Sequence, residues 1–90
     1  GDRVKSITWY YQRGAGTHTF AFRATTLSTG TDADVGTPAS TSSGTTYTSI
    51  TQSSINKTLV STEGYYLRWS FSATSATNWL HSVQVTYDRP

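Results

Sequence analysis

The chain has no cysteine, no methionine, two prolines and only five acidic residues among 90. Without cysteine there is no disulfide framework, and no thiolate to ligate a metal or attack a substrate. The missing methionine at position 1 reads as a processed chain or a segment of a longer one. No apolar run approaches the length of a membrane-spanning helix or a signal peptide, so no membrane insertion is expected. The net charge of +2 reflects scarce carboxylates, not a basic patch. The seven Lys and Arg residues are spread from Arg3 to Arg89. No cluster among them would follow a phosphate backbone, and no nucleic-acid partner is expected.

Hydroxyls take the place of charge. Thr occurs 18 times and Ser 13 times, while hydrophobic residues make up 34% and charged residues 13%. Thr, Tyr, Trp, Phe and Val favour strands, and the usual helix formers are scarce. The composition therefore points to one all-β domain over residues 1–90, too short for two independent cores.

Periodicity places the strands. "RVKSITWYYQ", 3–12, and "THTFAFRATTL", 17–27, alternate apolar and polar residues on either side of "RGAG". A short glycine-bearing connection suggests a hairpin with Tyr11 opposite His18, Trp9 opposite Phe20 and Ile7 opposite Phe22. Val4 is out of phase with Ile7, which predicts a bulge near Lys5–Ser6. Residues 28–46 read as a long Ser/Thr/Gly/Asp loop or as a loop hiding a short edge strand near Val35. "TYTSI", 46–50, and "INKTLV", 55–60, are further candidate strands, and Glu63–Gly64 a turn. "YYLRWSFS", 65–72, sends Tyr65, Leu67, Trp69 and Phe71 one way and Tyr66, Arg68 and Ser70 the other. "WLHSVQVTYD", 79–88, puts Val83, Val85 and Tyr87 inward. Hairpins at short spacing with hydroxyl-rich outer faces predict an antiparallel β-sandwich, jelly-roll-like, of about 6–8 strands.

The two ends, "GDRVKSITWYY" and "GYYLRWSFSATSATNWLHSVQVTYDRP", resemble small β-sandwich terminal domains of bacteriophage tail fibres and bacterial surface proteins. Gly1, Asp2, Val4 and Ile7 carry the resemblance at the start. Tyr65 to Arg68, Val83 to Tyr87 and Pro90 carry it at the end. It covers both ends and not the middle, and it carries over no site residues. It implies a non-catalytic module for assembly or attachment, extracellular or on a virion. In such domains another strand often precedes the Gly-Asp pair. Its absence here leads to the expectation that a neighbouring strand or subunit covers an open sheet edge.

The residues offer little chemistry. Asp2, Asp32, Asp34, Glu63 and Asp88 fall in loops and at termini, with no facing pair for glycoside hydrolysis. No G-x-S-x-G elbow accompanies the serines. His18 and His81 both fall in phase with inner-face residues near strand ends, where a hydrogen-bonded histidine at the rim of the core is expected; two imidazoles alone make a poor zinc site. "DADVG", 32–36, begins like a calcium loop but lacks its later ligands. Asn56-Lys57-Thr58 is a glycosylation sequon, relevant only in a eukaryotic secretory pathway. No enzyme activity, cofactor or metal is expected.

Exposed aromatics remain. Parity sends Tyr10 outward beside Gln12, and Tyr66 outward beside Arg68, while Trp79 heads the last strand. Rings flanked by amides and guanidinium suit a contact with neighbouring subunits, where Tyr, Trp and Arg are enriched. They equally suit a glycan, whose apolar ring face stacks on an aromatic while polar groups bind its hydroxyls. The expected function is a self-associating, homo-oligomeric structural module. Carbohydrate binding through Tyr10, Tyr66, Arg68 and Trp79 is the alternative.

Overall fold

Alternation along β1 (Arg3–Gln12) buries Val4, Ile7, Trp9 and Tyr11 and turns Thr8, Tyr10 and Gln12 to the opposite face. A computed structural model describes residues 1–90. It adds β2 (His18–Thr26), β3 (Thr31–Asp34), β4 (Ala39–Thr41), β5 (Thr48–Gln52), β6 (Lys57–Thr58), β7 (Glu63–Phe71) and β8 (Trp79–Asp88). The chain is all-β, and its strands form two antiparallel sheets packed face to face. In one sheet β1 is central, with β5 and β6 along one edge and β8 along the other. In the second, β2 is central, flanked by β3 and β4 on one edge and by β7 on the other.

The β1–β2 hairpin does not form. The two strands lie in different sheets, and the residues expected to be ladder partners face each other across the core instead. Trp9 and Phe20 meet with ring centroids 5.2 Å apart, and Tyr11 and His18 at 6.2 Å. Alternation specifies which face of a strand is buried, but not whether its neighbour is in the same sheet or the opposite one. The connection is an arch held by contacts outside both strands. Arg13 N donates to Gly44 O, and Gly14 N and Ala15 N donate to Asn78 Oδ1. Gly16 sits in the arch at φ +76°, and a Cβ there would stand 2.6 Å from Ala73 N. The position therefore needs glycine on both conformational and steric grounds.

Other boundaries shift modestly. The 28–46 segment contains two short strands, β3 and β4, and Glu63–Gly64 open β7 instead of turning. The expected bulge lies at Lys5, where the β1–β8 register skips between Val4 and Ser6. A second irregularity falls between Tyr10 and Tyr11 and leaves His81 without a ladder partner.

Buried polar side-chain atoms are tied into the core, with Arg13 Nε the exception. Trp9 Nε1 donates to Gln52 Oε1 at 2.9 Å, and Gln52 Nε2 donates to Thr37 O. The edge formed by β3 to β6 is sealed this way, with Ile55 and Val35 packed onto the core cluster. Their backbone nitrogens bond Lys5 O and Phe22 O.

The opposite side is not sealed. β7 and β8 each pair along one edge only, and not with each other. Their core-facing Leu67, Phe71, Val85 and Tyr87 remain 42%, 41%, 41% and 49% exposed. Between the sheets lies an apolar slot of about 190 Å³. Its walls include Ile7 and Phe22 within and Leu67 and Val85 at its mouth.

Candidate functional site

The five outward residues singled out in the sequence divide between two faces. Tyr10, Gln12 and Trp79 lie together on the outer face of the β1 sheet, where Gln12 and Trp79 are register partners. Tyr66 and Arg68 lie on the outer face of the other sheet, opposite Arg23 and Ala21. No single surface joins all five.

Tyr66 belongs to a polar network. Its hydroxyl donates to Asp32 Oδ2 at 2.9 Å and accepts from Arg23 Nε at 3.2 Å. Arg23 also pairs with Asp34, and Thr25 Oγ1 donates to Asp32 Oδ1. These donors hold the Asp32 carboxyl below its ordinary range, Thr25 first and Tyr66 second. The same network raises Arg23, chiefly through Tyr66 and then Asp34. Asp32 and Asp34, which open the calcium-like sequence, lie in β3, where both oxygens of Asp32 and one of Asp34 bond side chains of β2 and β7. No three His, Asp or Glu side chains converge in a metal-binding group.

Around Tyr10 the structure assembles a strip of which the sequence singled out only Tyr10 and Trp79. Tyr47, just before β5, lies 57% exposed with its ring 6.2 Å from that of Tyr10 and nearly parallel to it, at 14°. The His81 ring meets Tyr47 edge-on at 4.8 Å and Trp79 at 5.5 Å. His81 was expected to face inward; the bulge opposite Tyr10–Tyr11 turns it out. His18, by contrast, is fully buried within the core and not at its rim. Trp79 is 54% exposed, and its indole N–H donates to Ala76 O at 3.1 Å, which fixes the ring. Tyr10 donates from its hydroxyl to Gln84 Oε1, and Gln12 donates to Thr45 O. The strip crosses one end of the sheet from β5 over β1 to β8. Tyr47 and His81 escaped notice because one precedes its strand and the other sits at a bulge, where parity fails.

Beyond the strip, this sheet's outer face carries only hydroxyls and amides. Thr8, Ser49, Thr51, Ser82, Gln84 and Thr86 share it by register, and Thr8 and Thr51 hydrogen-bond across strands at 2.9 Å. Charge gathers at the far end, where Arg3 bonds Asp88 at 2.9 Å with Lys5 nearby.

No family model, curated protein or solved structure matches the chain.

Proposed function

We propose that the domain is a non-catalytic assembly module of a fibre, virion or other extracellular surface structure, and that it associates with a second copy through its open side. The observation that carries this reading is the unsealed pair of edge strands, β7 and β8, with Leu67 and Val85 half-exposed at the mouth of an apolar slot and Phe71 and Tyr87 half-exposed on the same strands. Natural edge strands are normally guarded by charge, proline or a covering segment, because their free N–H and C=O groups otherwise recruit another strand. Here β8 has no charged residue from Trp79 to Tyr87, β7 has only Glu63 and Arg68, and neither contains proline.

A second copy fits this edge. Two open sides related by a twofold axis present the same apolar residues to each other without opposing charges, the self-complementarity an isologous contact requires. Strands of one copy continue the sheets of the other, and the slot becomes interior. A 90-residue sandwich buries a limited fraction of its surface, so the shared core stabilises both partners.

The test is light scattering on the whole chain beside Leu67→Lys and Val85→Lys variants. Both side chains are about two-fifths exposed at the slot mouth, so a lysine there can extend its amine into solvent. The wild type is expected to be a dimer at micromolar concentration, and each variant at least about tenfold weaker in association. A wild type that stays monomeric throughout that range, or variants that associate equally well, would overturn the reading.

A further inference from the structure

We propose that the strip of Tyr10, Tyr47, His81 and Trp79, in that order on the outer face of the β1 sheet, is a binding site for a neutral oligosaccharide. The site is independent of the open side, since its rings stand on a sheet face and not between the sheet edges. It differs from the surface the sequence suggested: Tyr66 and Arg68 are on the other sheet and take no part.

Four observations carry the proposal. The rings form a continuous row, with centroids of successive members 6.2, 4.8 and 5.5 Å apart. Three separate segments contribute to it, so the row is assembled by the fold. Its two largest exposed members, Tyr47 and Trp79, are more than half accessible. The Trp79 indole is already anchored to Ala76 O, so its face is presented with little ordering still to be lost on binding.

Polar groups border the row in the way a sugar needs. Gln84 uses its amide oxygen to accept from Tyr10, leaving its amide nitrogen free to donate. Gln12 uses its nitrogen toward Thr45 O, leaving its oxygen free to accept. One free donor and one free acceptor beside aromatic faces match a pyranose, which has an apolar ring face and hydroxyls at its rim.

Charge and composition select the ligand class. The outward residues that register places around the strip, Thr8, Ser49, Thr51, Ser82, Gln84 and Thr86, carry no formal charge, so a phosphate backbone or an acidic glycan finds no counter-charge among them. The strip also lacks outward Leu, Ile, Val, Met and Arg. Leu80, the one aliphatic side chain among the rings in sequence, packs toward the core. A protein-binding patch is typically enriched in Met and Arg alongside its aromatics. Rings set among hydroxyls and amides favour a neutral saccharide.

The experiment titrates the whole 90-residue chain with neutral tetrasaccharides of glucose, mannose, galactose and N-acetylglucosamine, and with an oligogalacturonate as the acidic comparison. Amide chemical shifts and tryptophan fluorescence report binding. At least one neutral probe is expected to give saturable shifts centred on Tyr10, Tyr47, His81 and Trp79. Tyr47→Ala and Trp79→Ala should each weaken it about tenfold at unchanged melting temperature. Tyr66→Ala should leave affinity unchanged. The proposal is overturned if no neutral probe perturbs the strip at millimolar concentration, or if the acidic probe binds more tightly. Binding that survives the Tyr47/Trp79 double substitution overturns it as well. So do shifts at Tyr10 and Tyr47, which stand off β8, that appear on concentrating the protein without sugar, because they would make the strip itself a contact between copies.

Discussion

Asn78 Oδ1 accepts a hydrogen bond from His18 Nε2 at 3.0 Å, and this contact joins the buried face of β2 to the loop before β8. The direction of that bond follows from a second one. Trp69 Nε1 lies 3.2 Å from His18 Nδ1, and an indole nitrogen can only donate. Nδ1 is therefore the acceptor, and Nε2 carries the proton toward Asn78. The same Asn78 oxygen receives the Gly14 and Ala15 amides, and its Nδ2 donates to Ala73 O. Asn78→Ala leaves these donors without their acceptor and should cost on the order of 2–4 kcal/mol. Chemical denaturation measures the loss. Imidazole nitrogen shifts of the wild type should show the Nε2–H tautomer.

Glycine at the arch separates conformation from space. Gly16 and Gly30 have similar positive φ values, +76° and +72°, but only Gly16 has backbone within reach of an added Cβ. Gly30→Ala should cost roughly 1 kcal/mol from the left-handed conformation alone. Gly16→Ala adds the clash with Ala73 N and should cost more, up to about 3 kcal/mol. Equal losses in thermal melts would show that the arch yields freely.

Acid should loosen the fold through specific carboxylates. Hydrogen bonds from Lys57 first and Tyr65 second hold the Glu63 carboxyl below its ordinary range, and Arg3 is the main cause for Asp88. A carboxyl depressed in the folded state contributes stability that is complete above its unfolded value. That stability is lost as pH falls through the folded value. The melting temperature should thus be flat near neutrality and drop on the acid side of the ordinary carboxylate range. Glu63→Gln and Asp88→Asn should each make that drop shallower, and an unchanged profile in both would contradict the assignment.

Tyr66→Phe removes the donor to Asp32 and the acceptor for Arg23. The Asp32 carboxyl should rise toward its ordinary range while remaining depressed by Thr25, and side-chain carbon shifts followed against pH detect this. Melting should change little, because the network lies at an exposed surface.

The fold class, most strands and the inner face of each were legible because alternation with period two is a local signal. Ile7, Trp9 and Tyr11 fall inside for that reason, and the Lys5 bulge was visible as a break in phase. Sheet membership was not legible. Trp9 faces Phe20 whether their strands are ladder partners or lie in opposed sheets, and the arch depends on Asn78, 64 residues beyond Gly14 and brought to it only by tertiary contact. The aromatic strip was half visible. Parity found Tyr10 and the start of β8 suggested Trp79, whereas Tyr47 and His81 lie where strand periodicity is interrupted. Tyr66 satisfied the same parity rule as Tyr10, but Asp32 and Arg23, brought beside it by β3 and β2, give its hydroxyl a structural partner.

The most direct test of the account is amide hydrogen exchange along β7 and β8 as a function of protein concentration. Association through the open side predicts that amides on the free edges of Tyr65–Phe71 and Ser82–Tyr87 become protected as concentration rises through the micromolar range, while those of β3 and β4 do not change. Edge amides that exchange equally fast at every concentration would contradict it.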